Sequence, residues 1–307
     1  MSSRSLSPTP AASAGTSALV LALLLAGCSG GEGSPDPDSV TTAAATPAAT
    51  ADEEPPPTPA GGPGPDDVQY VALGDSYAAA PGVPRTDQAD GCFRSDSNYA
   101  HVLAEAANLY LTDVTCSGAT SEDVVDLQVP SLSVDTDLVT IGTGGNDFGL
   151  FTTILRSCIS FGGGELTGTP CTEALNSQIE QVGPSIEAGV GAALDAVTTA
   201  APNAQVYVVG YPALLPEAGT CPRLAPFAAA DYPLLNTIVS GLSDALESAA
   251  EKRNLPFVDV QAASTGHDVC SEDPWINGAG VAPDGTIPFH PLAAEQAAVA
   301  DLIGDML

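Results

Sequence analysis

Five short apolar runs alternate with longer helix-forming segments over residues 67–307, and this alternation constrains the fold more than any other feature. The strand-like runs lie near 68–73, 109–114, 137–142, 204–210 and 256–260. The segments with helical character lie at 97–108, 173–199, 232–253 and 292–306. Strands that alternate with helices are typical of a parallel sheet covered on both faces. The sequence therefore predicts an α/β domain in which the carboxyl ends of the strands share one edge.

The N-terminal residues carry the pattern of an export signal. Residues 18–27 form an apolar stretch behind a polar segment that contains Arg4, and the stretch is too short to span a membrane. It ends in Leu-Ala-Gly-Cys at Cys28, which resembles the lipobox of bacterial lipoproteins. The resemblance implies a signal peptide at 1–27 and a lipid on Cys28 that anchors an extracellular protein to the bacterial cell membrane. Secretion with cleavage elsewhere is the alternative.

Residues 28–66 separate this signal from the folded part of the chain. Residues 29–66 contain nine prolines and neither lysine nor arginine. Such a composition cannot bury a core, so we expect a disordered tether. Proline-rich sequence favours extended conformations of about 3.1 Å per residue, which gives the tether a reach of several nanometres. The folded domain is then expected over 67–307, a length that suits a single α/β unit.

The charge of the chain is strongly one-sided. It has 38 acidic residues against seven lysines and arginines, a formal net charge of −31. Nucleic-acid binding depends on basic side chains that contact phosphates, so this composition argues against a nucleic-acid partner. We interpret the excess as a solubilising, salt-tolerant surface rather than as a site for one cationic partner. We expect the protein to be a monomer.

Three of the predicted strands end in residues that suit acyl transfer. Ser76 follows the first strand in a Gly-Asp-Ser turn, Gly118 follows the second, and Asn146 follows the third. In open α/β sheets this edge carries ligands and chemistry. A serine hydroxyl can act as a nucleophile, and backbone N–H groups and a side-chain amide can donate to the oxyanion that develops. We therefore expect an oxyanion hole formed by Ser76, Gly118 and Asn146.

A serine nucleophile also needs a base, and the chain has three histidines. His101 falls within a predicted helix, where packing or solvent exposure is its expected role. His267 lies in a loop beside Asp268. His290 precedes the last predicted helix, at whose start Pro291 fixes the chain, and it is our candidate for the general base.

These four positions resemble the ordered blocks of the GDSL/SGNH hydrolase superfamily, which is named for a serine, a glycine, an asparagine and a histidine. Ser76, Gly118, Asn146 and His290 match the blocks in order, and the likeness extends over 67–307. The resemblance implies a flavodoxin-like, three-layer αβα fold around a parallel sheet of about five strands. It also implies a serine esterase or lipase that hydrolyses carboxylic esters, above all of lipids or fatty acyl groups, without a metal or an organic cofactor.

One position departs from the family pattern. The family has an aspartate three residues before the histidine, where this chain has Ile287. We therefore expect a Ser–His dyad in which the Ile287 carbonyl accepts from Nδ1 of His290, as a main-chain carbonyl does in some actinobacterial relatives. Asp284 is a second candidate for this role. Asp75 and Asp147 are expected to orient their turns through side-chain hydrogen bonds.

The cysteines predict disulfide bonds. With Cys28 assigned to the lipid, six remain, and an even set in an exported chain indicates disulfides, for which 15 connectivities exist. Pairing sequence neighbours closes the shortest loops, and a closer likeness to secreted actinobacterial esterases with three sequential disulfides supports this choice. The expected bonds are Cys92–Cys116, Cys158–Cys171 and Cys221–Cys270. A metal site is a poor alternative, because no Cys-x-x-Cys spacing occurs.

The substrate is less constrained than the reaction. An apolar segment forms an acyl groove in one interpretation and packs a helix into the core in the other; it contains Phe148, Leu150, Phe151, Ile154, Leu155 and Phe161. The catalytic residues do not define the acyl acceptor, so an acyltransferase or a carbohydrate O-deacetylase on the same fold is an alternative. A non-catalytic surface lipoprotein that keeps the fold as a binding module is another.

Overall fold

The structure is a computed structural model, and it describes residues 63–64, 66–159, 167–175, 179–217, 219–224 and 227–307. The expected signal peptide and the lipid site at Cys28 lie outside the described residues, as does nearly all of the expected tether. Phe161 of the apolar segment also lies outside them.

A parallel sheet lies at the centre of the described chain. The strands are β1 (Gln69–Gly74), β2 (Thr86–Asp87), β3 (Arg94–Ser95), β4 (Tyr110–Asp113), β5 (Leu138–Gly142), β6 (Gln205–Val209) and β7 (Phe257–Val258). Five of them pair in the order β4-β1-β5-β6-β7, all in parallel, while β2 and β3 form a separate antiparallel pair. Each predicted strand run contributes one strand to the central sheet. The fifth run overshoots, because a short helix begins at Val260.

Helices connect the strands and cover the sheet. They are α1 (Ser76–Ala79), α2 (Tyr99–Ala107), α3 (Ser121–Asp123), α4 (Leu150–Cys158), α5 (Pro170–Leu175), α6 (Ile179–Ala200), α7 (Tyr232–Glu251), α8 (Val260–Ala263) and α9 (Ala293–Gly304). The segment predicted as one helix over 173–199 corresponds to parts of two, α5 and α6, with 176–178 outside the described residues. Within the described ranges, no helix has both the length and the apolar character needed to cross a bilayer.

Side chains of β1 alternate between the two faces of the sheet, and each face packs on its own helices. Leu73 belongs to a buried cluster that includes Leu194 of α6 and residues of α7. Ala72 points to the other face and belongs to a cluster with Leu103 of α2 and Ile303 of α9. The sheet is therefore covered on both sides, which confirms the three-layer αβα architecture.

Three disulfide bonds cross-link loops around the central sheet, and they confirm the expected pairing. They are Cys92–Cys116, Cys158–Cys171 and Cys221–Cys270. The first ties down the loop after β4, and the second joins the end of α4 to α5. Each bond is expected to stabilise the fold by about 3 kcal/mol, largely because it restricts the unfolded chain.

Candidate active site

The nucleophile candidate lies at a sharp turn between β1 and α1. Gly74 ends β1 with φ 148°, and a Cβ there would lie 2.5 Å from the Gly142 carbonyl oxygen, so the turn requires glycine. Asp75 then caps α1, because its carboxylate accepts from the Tyr77 N–H at 2.9 Å. Ser76 is thereby the first helical residue at the carboxyl edge of the sheet, and it is only 8 % exposed.

His290 lies against this serine, with its Nε2 2.9 Å from the Ser76 Oγ. Burial lowers the pKa of His290 from 6.5 to about 4, because the imidazolium loses its hydration, and the nearby Pro288 carbonyl offsets this only in part. The ring is therefore neutral at pH 7 and able to accept a proton. The other two histidines make their contacts elsewhere, His101 at the start of α2 and His267 in a loop.

The second ring nitrogen of His290 makes a different contact from the expected one. Nδ1 lies 2.8 Å from the carbonyl oxygen of Pro288, whereas the Ile287 carbonyl accepts from Nδ2 of Asn277 at 3.1 Å. The expectation that the Ile287 carbonyl accepts from Nδ1 is therefore wrong. The acceptor is instead the carbonyl of Pro288, which is also a main-chain group. Asp284 does not take this role either, since it is exposed and its carboxylate accepts from a backbone N–H of its own turn.

A residue in the left-handed region explains the shift from Ile287 to Pro288. Phe289 has φ 57°, a conformation that a phenylalanine rarely adopts. It turns the chain so that the ring of His290 returns to the carbonyl two residues earlier. Tyr77 holds this turn, because its hydroxyl donates to the Phe289 carbonyl at 2.8 Å. The carbonyl keeps the proton on Nδ1 and leaves Nε2 free to act as the acceptor.

The donors expected around an oxyanion follow the ends of β4 and β5. One amide hydrogen of Asn146 donates to the Ala119 carbonyl at 3.1 Å, which leaves the second available. Gly118 has φ 86°, and a Cβ there would meet open space, so backbone conformation rather than crowding favours glycine. No described residue accepts a hydrogen bond from the N–H of Ser76 or of Gly118. Asn146 also lines the same cleft as Ser76.

A buried tyrosine connects the loops of the site. Asp75 accepts from the Tyr211 hydroxyl at 2.5 Å, and the same hydroxyl accepts from the Gly145 N–H at 3.0 Å. Tyr211 thus joins the turn of Ser76 to the loop of Asn146. The sequence analysis missed Tyr211, although its position just beyond β6, at the same edge of the sheet, is a signal that could have found it.

Asp147 and Gln128 add two further links. Oδ1 of Asp147 accepts from the Ser121 N–H at 2.7 Å, so Asp147 joins the loops after β4 and β5. This corrects the expectation that Asp147 orients its own turn, whereas Asp75 does so. The side chain of Gln128 pairs with both the N–H and the carbonyl of Gly74, at 2.8 and 2.9 Å. No sequence signal marks Gln128, because its partner is distant in the chain.

An apolar cleft that is partly open to solvent lies beside Ser76. Its apolar lining comes mainly from α4 and α7 and consists of Leu150, Phe151, Ile154, Leu214, Ile238, Val239 and Leu242. Three residues of the expected acyl groove therefore line it. Phe148 instead is 68 % exposed, and Leu155 packs against a separate buried cluster. The segment thus lines the cleft in part, as the acyl-groove interpretation predicts, and packs into the core in part, as the alternative predicts.

A serine that is hydrogen-bonded to a neutral histidine, at the carboxyl edge of a parallel sheet and beside an apolar cleft, defines a serine hydrolase. Comparison with known proteins agrees with this class. Residues 72–298 match the GDSL-like lipase/acylhydrolase family, and this range contains Ser76, Gly118, Asn146 and His290. The chain belongs to this family and is a carboxylic ester hydrolase.

Individual relatives cover most of the chain. It is 35 % identical over 260 residues to Lipase 2 of Streptomyces coelicolor, which is 78 % of this chain and 86 % of that protein. Among solved structures, phospholipase A1 from Streptomyces albidoflavus has a TM-score of 0.70 and 28 % identity, over 78 % of this chain and 100 % of that one. An extracellular lipase from Streptomyces rimosus has a TM-score of 0.68 at 28 % identity, with the same coverage.

Proposed function

We propose that the protein hydrolyses carboxylic esters of fatty acyl groups, with Ser76 as nucleophile and His290 as general base. The observation that carries this proposal is the 2.9 Å distance between the Ser76 Oγ and the Nε2 of a histidine that is neutral at pH 7. A neutral nitrogen at this distance can take the hydroxyl proton as the oxygen attacks.

In the first step, the Ser76 Oγ attacks the ester carbonyl carbon while Nε2 of His290 takes the hydroxyl proton. The carbonyl oxygen becomes negative and accepts from the N–H groups of Ser76 and Gly118 and from the free amide hydrogen of Asn146. The Pro288 carbonyl meanwhile holds the ring through Nδ1–H. It carries only a partial charge, so it orients the imidazolium more than it stabilises it.

In the second step, the tetrahedral intermediate collapses. His290 gives its Nε2 proton to the oxygen of the leaving alcohol, and the acyl group stays on Ser76 as an ester. A water molecule then attacks this ester, with His290 again taking a proton. The second tetrahedral intermediate then collapses, the bond between the acyl carbon and the Ser76 Oγ breaks, and Nε2 of His290 gives its proton to this oxygen. The carboxylic acid leaves, and the free serine is restored.

The apolar cleft supports fatty acyl groups as the substrate class. Its walls beside Ser76 are mostly Leu, Ile, Val and Phe side chains, and burying a methylene group there is favourable. The names of the relatives agree, since they are lipases and a phospholipase A1. An acetyl group would leave most of this cleft unfilled.

The N-terminal sequence supports a location outside the cell, with a lipid on Cys28 as the membrane anchor and 29–66 as the spacer. Mass spectrometry of the mature protein tests this. The expected N-terminal peptide begins at Cys28 and carries a diacylglyceryl mass. A mature chain that begins elsewhere with an unmodified Cys28 contradicts the anchor and leaves the esterase proposal intact.

The esterase proposal is tested by hydrolysis of p-nitrophenyl butanoate by the full-length protein and three variants. Ser76→Ala and His290→Ala should each lower kcat by about 10⁴-fold or more, because nucleophile and base act as a unit. Asp284→Asn should keep the wild-type rate, since its carboxylate only supports an exposed turn. A folded Ser76→Ala variant with wild-type activity contradicts the nucleophile, and a large loss in Asp284→Asn contradicts the dyad.

A further inference from the structure

The main chain that carries the general base is held at four successive carbonyls, those of residues 287–290. The second of them accepts from the ring of His290, and the third accepts from the Tyr77 hydroxyl. The first and the fourth both accept from Asn277. We propose that Asn277 is a positioning residue that fixes the ring of His290 for catalysis. The inference rests on the proposed function, in which this ring takes the hydroxyl proton of Ser76.

The backbone of Asn277 pairs antiparallel with the segment around His290. The Asn277 N–H donates to the His290 carbonyl at 2.9 Å, and the Phe289 N–H donates to the Gly278 carbonyl at 3.2 Å. Ile276 forms an antiparallel bridge with the residue that follows His290, and its side chain is completely buried. This pairing therefore attaches the main chain of the base to the core of the protein.

The side chain of Asn277 holds the turn that precedes the base. Its Nδ2 lies 2.7 Å from the Gly280 carbonyl oxygen, 2.9 Å from that of Thr286 and 3.1 Å from that of Ile287. An amide nitrogen carries two hydrogens, so one of them is shared between two carbonyls. The contact with Ile287 bears most directly on catalysis, because it orients the peptide group that leads into Pro288.

These contacts leave the Pro288 carbonyl little freedom. The preceding peptide group is held through the Ile287 carbonyl, and the proline ring fixes φ at about −65°. The Pro288 carbonyl shares one planar peptide group with the Phe289 N–H, which is itself bound to the Gly278 carbonyl. The acceptor is thus fixed from both sides, and it lies 2.8 Å from Nδ1 of His290.

Loss of the Asn277 amide should therefore loosen this acceptor rather than remove it. The ring of His290 would rotate more freely about its side-chain bonds, because the hydrogen bond of Nδ1–H is what orients it. Its Nε2 would then spend less time at the 2.9 Å distance from the Ser76 Oγ that proton transfer requires. The apolar cleft is formed by other side chains, so the binding of an ester should be unaffected.

The test compares Asn277→Ala with Asn236→Ala in the full-length protein, with p-nitrophenyl butanoate as the substrate. Asn236 is the matched control, because its Nδ2 also donates to a main-chain carbonyl, that of Pro216 at 3.1 Å. Asn277→Ala should lower kcat by about 10- to 100-fold and leave KM within about twofold, in line with the cost of small misplacements at active sites. Asn236→Ala should keep the wild-type kcat.

Nuclear magnetic resonance of histidine labelled with ¹⁵N gives a readout that a general loss of stability would not move. The chain has three histidines, so the Nδ1–H signal of His290 is assigned by its absence in His290→Ala. In the wild-type protein this proton should be protected from exchange, because its acceptor is fixed. In Asn277→Ala the signal should broaden or exchange away, while the signals of the other two histidines stay unchanged.

Two kinetic results would overturn the proposal. One is a folded Asn277→Ala variant whose kcat stays within about twofold of the wild-type value, and the other is an equal loss of kcat in Asn236→Ala. A lowered kcat with an unchanged Nδ1–H signal of His290 would also overturn it. Hydrolysis that survives in Ser76→Ala contradicts instead the proposed function itself, whatever the Asn277 variants do.

Asn277→Asp replaces Asn277→Ala if the smaller side chain prevents folding. Aspartate keeps the shape of asparagine, but its carboxylate cannot donate and faces the same carbonyl oxygens. It should therefore lower kcat at least as far as alanine, again with little change in KM. A folded Asn277→Asp variant with the wild-type kcat contradicts the positioning role.

Discussion

The hydroxyl of Tyr77 donates a 2.8 Å hydrogen bond to the carbonyl of Phe289, and so joins the residue after the nucleophile to the residue before the base. Phe289 is held at φ 57°, a conformation that costs free energy for a residue with a large side chain. Tyr77 also packs near the ring of His290, with the ring centroids 5.5 Å apart. The position of the base relative to Ser76 therefore depends on this distant contact as well as on local hydrogen bonds, such as the one from the Asn277 N–H to the His290 carbonyl.

Tyr77→Phe should impair catalysis without unfolding the protein. The ring and its packing remain, but the Phe289 turn loses its tether and Nε2 is held less well against Ser76. We expect kcat to fall by about 10-fold, in line with the cost of small misplacements at active sites. KM for a short ester should change little. Steady-state kinetics and circular dichroism measure the two effects.

Tyr232→Phe is the control for the loss of a tyrosine hydroxyl. Its hydroxyl lies 2.9 Å from the Thr220 hydroxyl, away from Ser76 and His290. Both variants should lose about 1 kcal/mol of stability, the usual net value of one hydrogen bond. Only Tyr77→Phe should lower kcat. Equal kcat in the two variants would show that the tether does not position His290.

Activity should be lost on the acidic side only at an unusually low pH. Burial lowers the pKa of His290 to about 4, so the base stays neutral and active well below the normal histidine range. We expect kcat/KM for an uncharged ester to fall with a midpoint near pH 4. Burial raises the pKa of Asp75 to about 7, but the neutral acid still accepts from Tyr77 and Tyr211, so only a shallow change is expected there.

The profile of Asp75→Asn separates the two groups. The amide keeps the size of the side chain and removes its titration, so the shallow change near pH 7 should vanish while the limb near pH 4 remains. If the activity of the wild-type protein fell with a midpoint near pH 6.5, His290 would not be desolvated in the way that lowers its pKa. It would instead indicate that water or a carboxylate reaches the ring.

Asn146→Ala should lower kcat strongly and leave the fold intact. The substitution removes the free amide hydrogen that we assign to the oxyanion, and loss of one such donor costs about 10²- to 10³-fold in kcat. KM should change little, because the contact strengthens only as the charge develops. Asn203→Ala is the matched control, since its amide also donates to a main-chain carbonyl, that of Val134 at 3.2 Å. A loss below about tenfold in Asn146→Ala would remove this residue from the oxyanion hole.

The sequence predicted the sheet and the main residues of the site because their signals are local. Short apolar runs mark β1, β4, β5 and β6, and the residues just after each run face the same edge once the strands are parallel. Ser76 could be placed in this way without knowledge of any distant contact. The disulfides were predicted by pairing sequence neighbours, a choice that the likeness to actinobacterial esterases supported and that the structure confirms.

The partner of Nδ1 could not be predicted in the same way. Ile287 and Pro288 both offer a carbonyl close to His290, and the choice depends on the left-handed φ of Phe289. That conformation is held by Tyr77, more than 200 residues earlier, so nothing in the local sequence shows it. The same limit applies to Gln128, whose two bonds to Gly74 exist only in the folded sheet.

Glu295 should make the protein less stable as the pH rises from 7 to 8. It is buried in α9 with Gln296 as its hydrogen-bond donor, and burial raises its pKa from 4.5 to about 8. The folded protein keeps this proton where the unfolded chain has lost it, so unfolding releases a proton and stability falls with increasing pH. His290 acts with the opposite sign, but only between its folded value near 4 and its unfolded value of 6.5.

Between pH 7 and 8 the effect of Glu295 is therefore separated from that of His290 and largely from that of Asp75. Glu295→Gln removes the titration and keeps the shape, so it should abolish a slope of up to about 1.4 kcal/mol per pH unit and stabilise the protein at pH 8. Urea denaturation at the two pH values measures this change in stability, with Glu105→Gln on the exposed face of α2 as the control.

The Glu295→Gln substitution should leave the active site in place. Gln296 also donates to the Tyr77 carbonyl at 3.0 Å, and this hydrogen bond does not depend on a charge at residue 295. If Glu295→Gln keeps the wild-type slope, Glu295 is ionised in the folded protein, and the raised pKa that we assign to its burial is wrong.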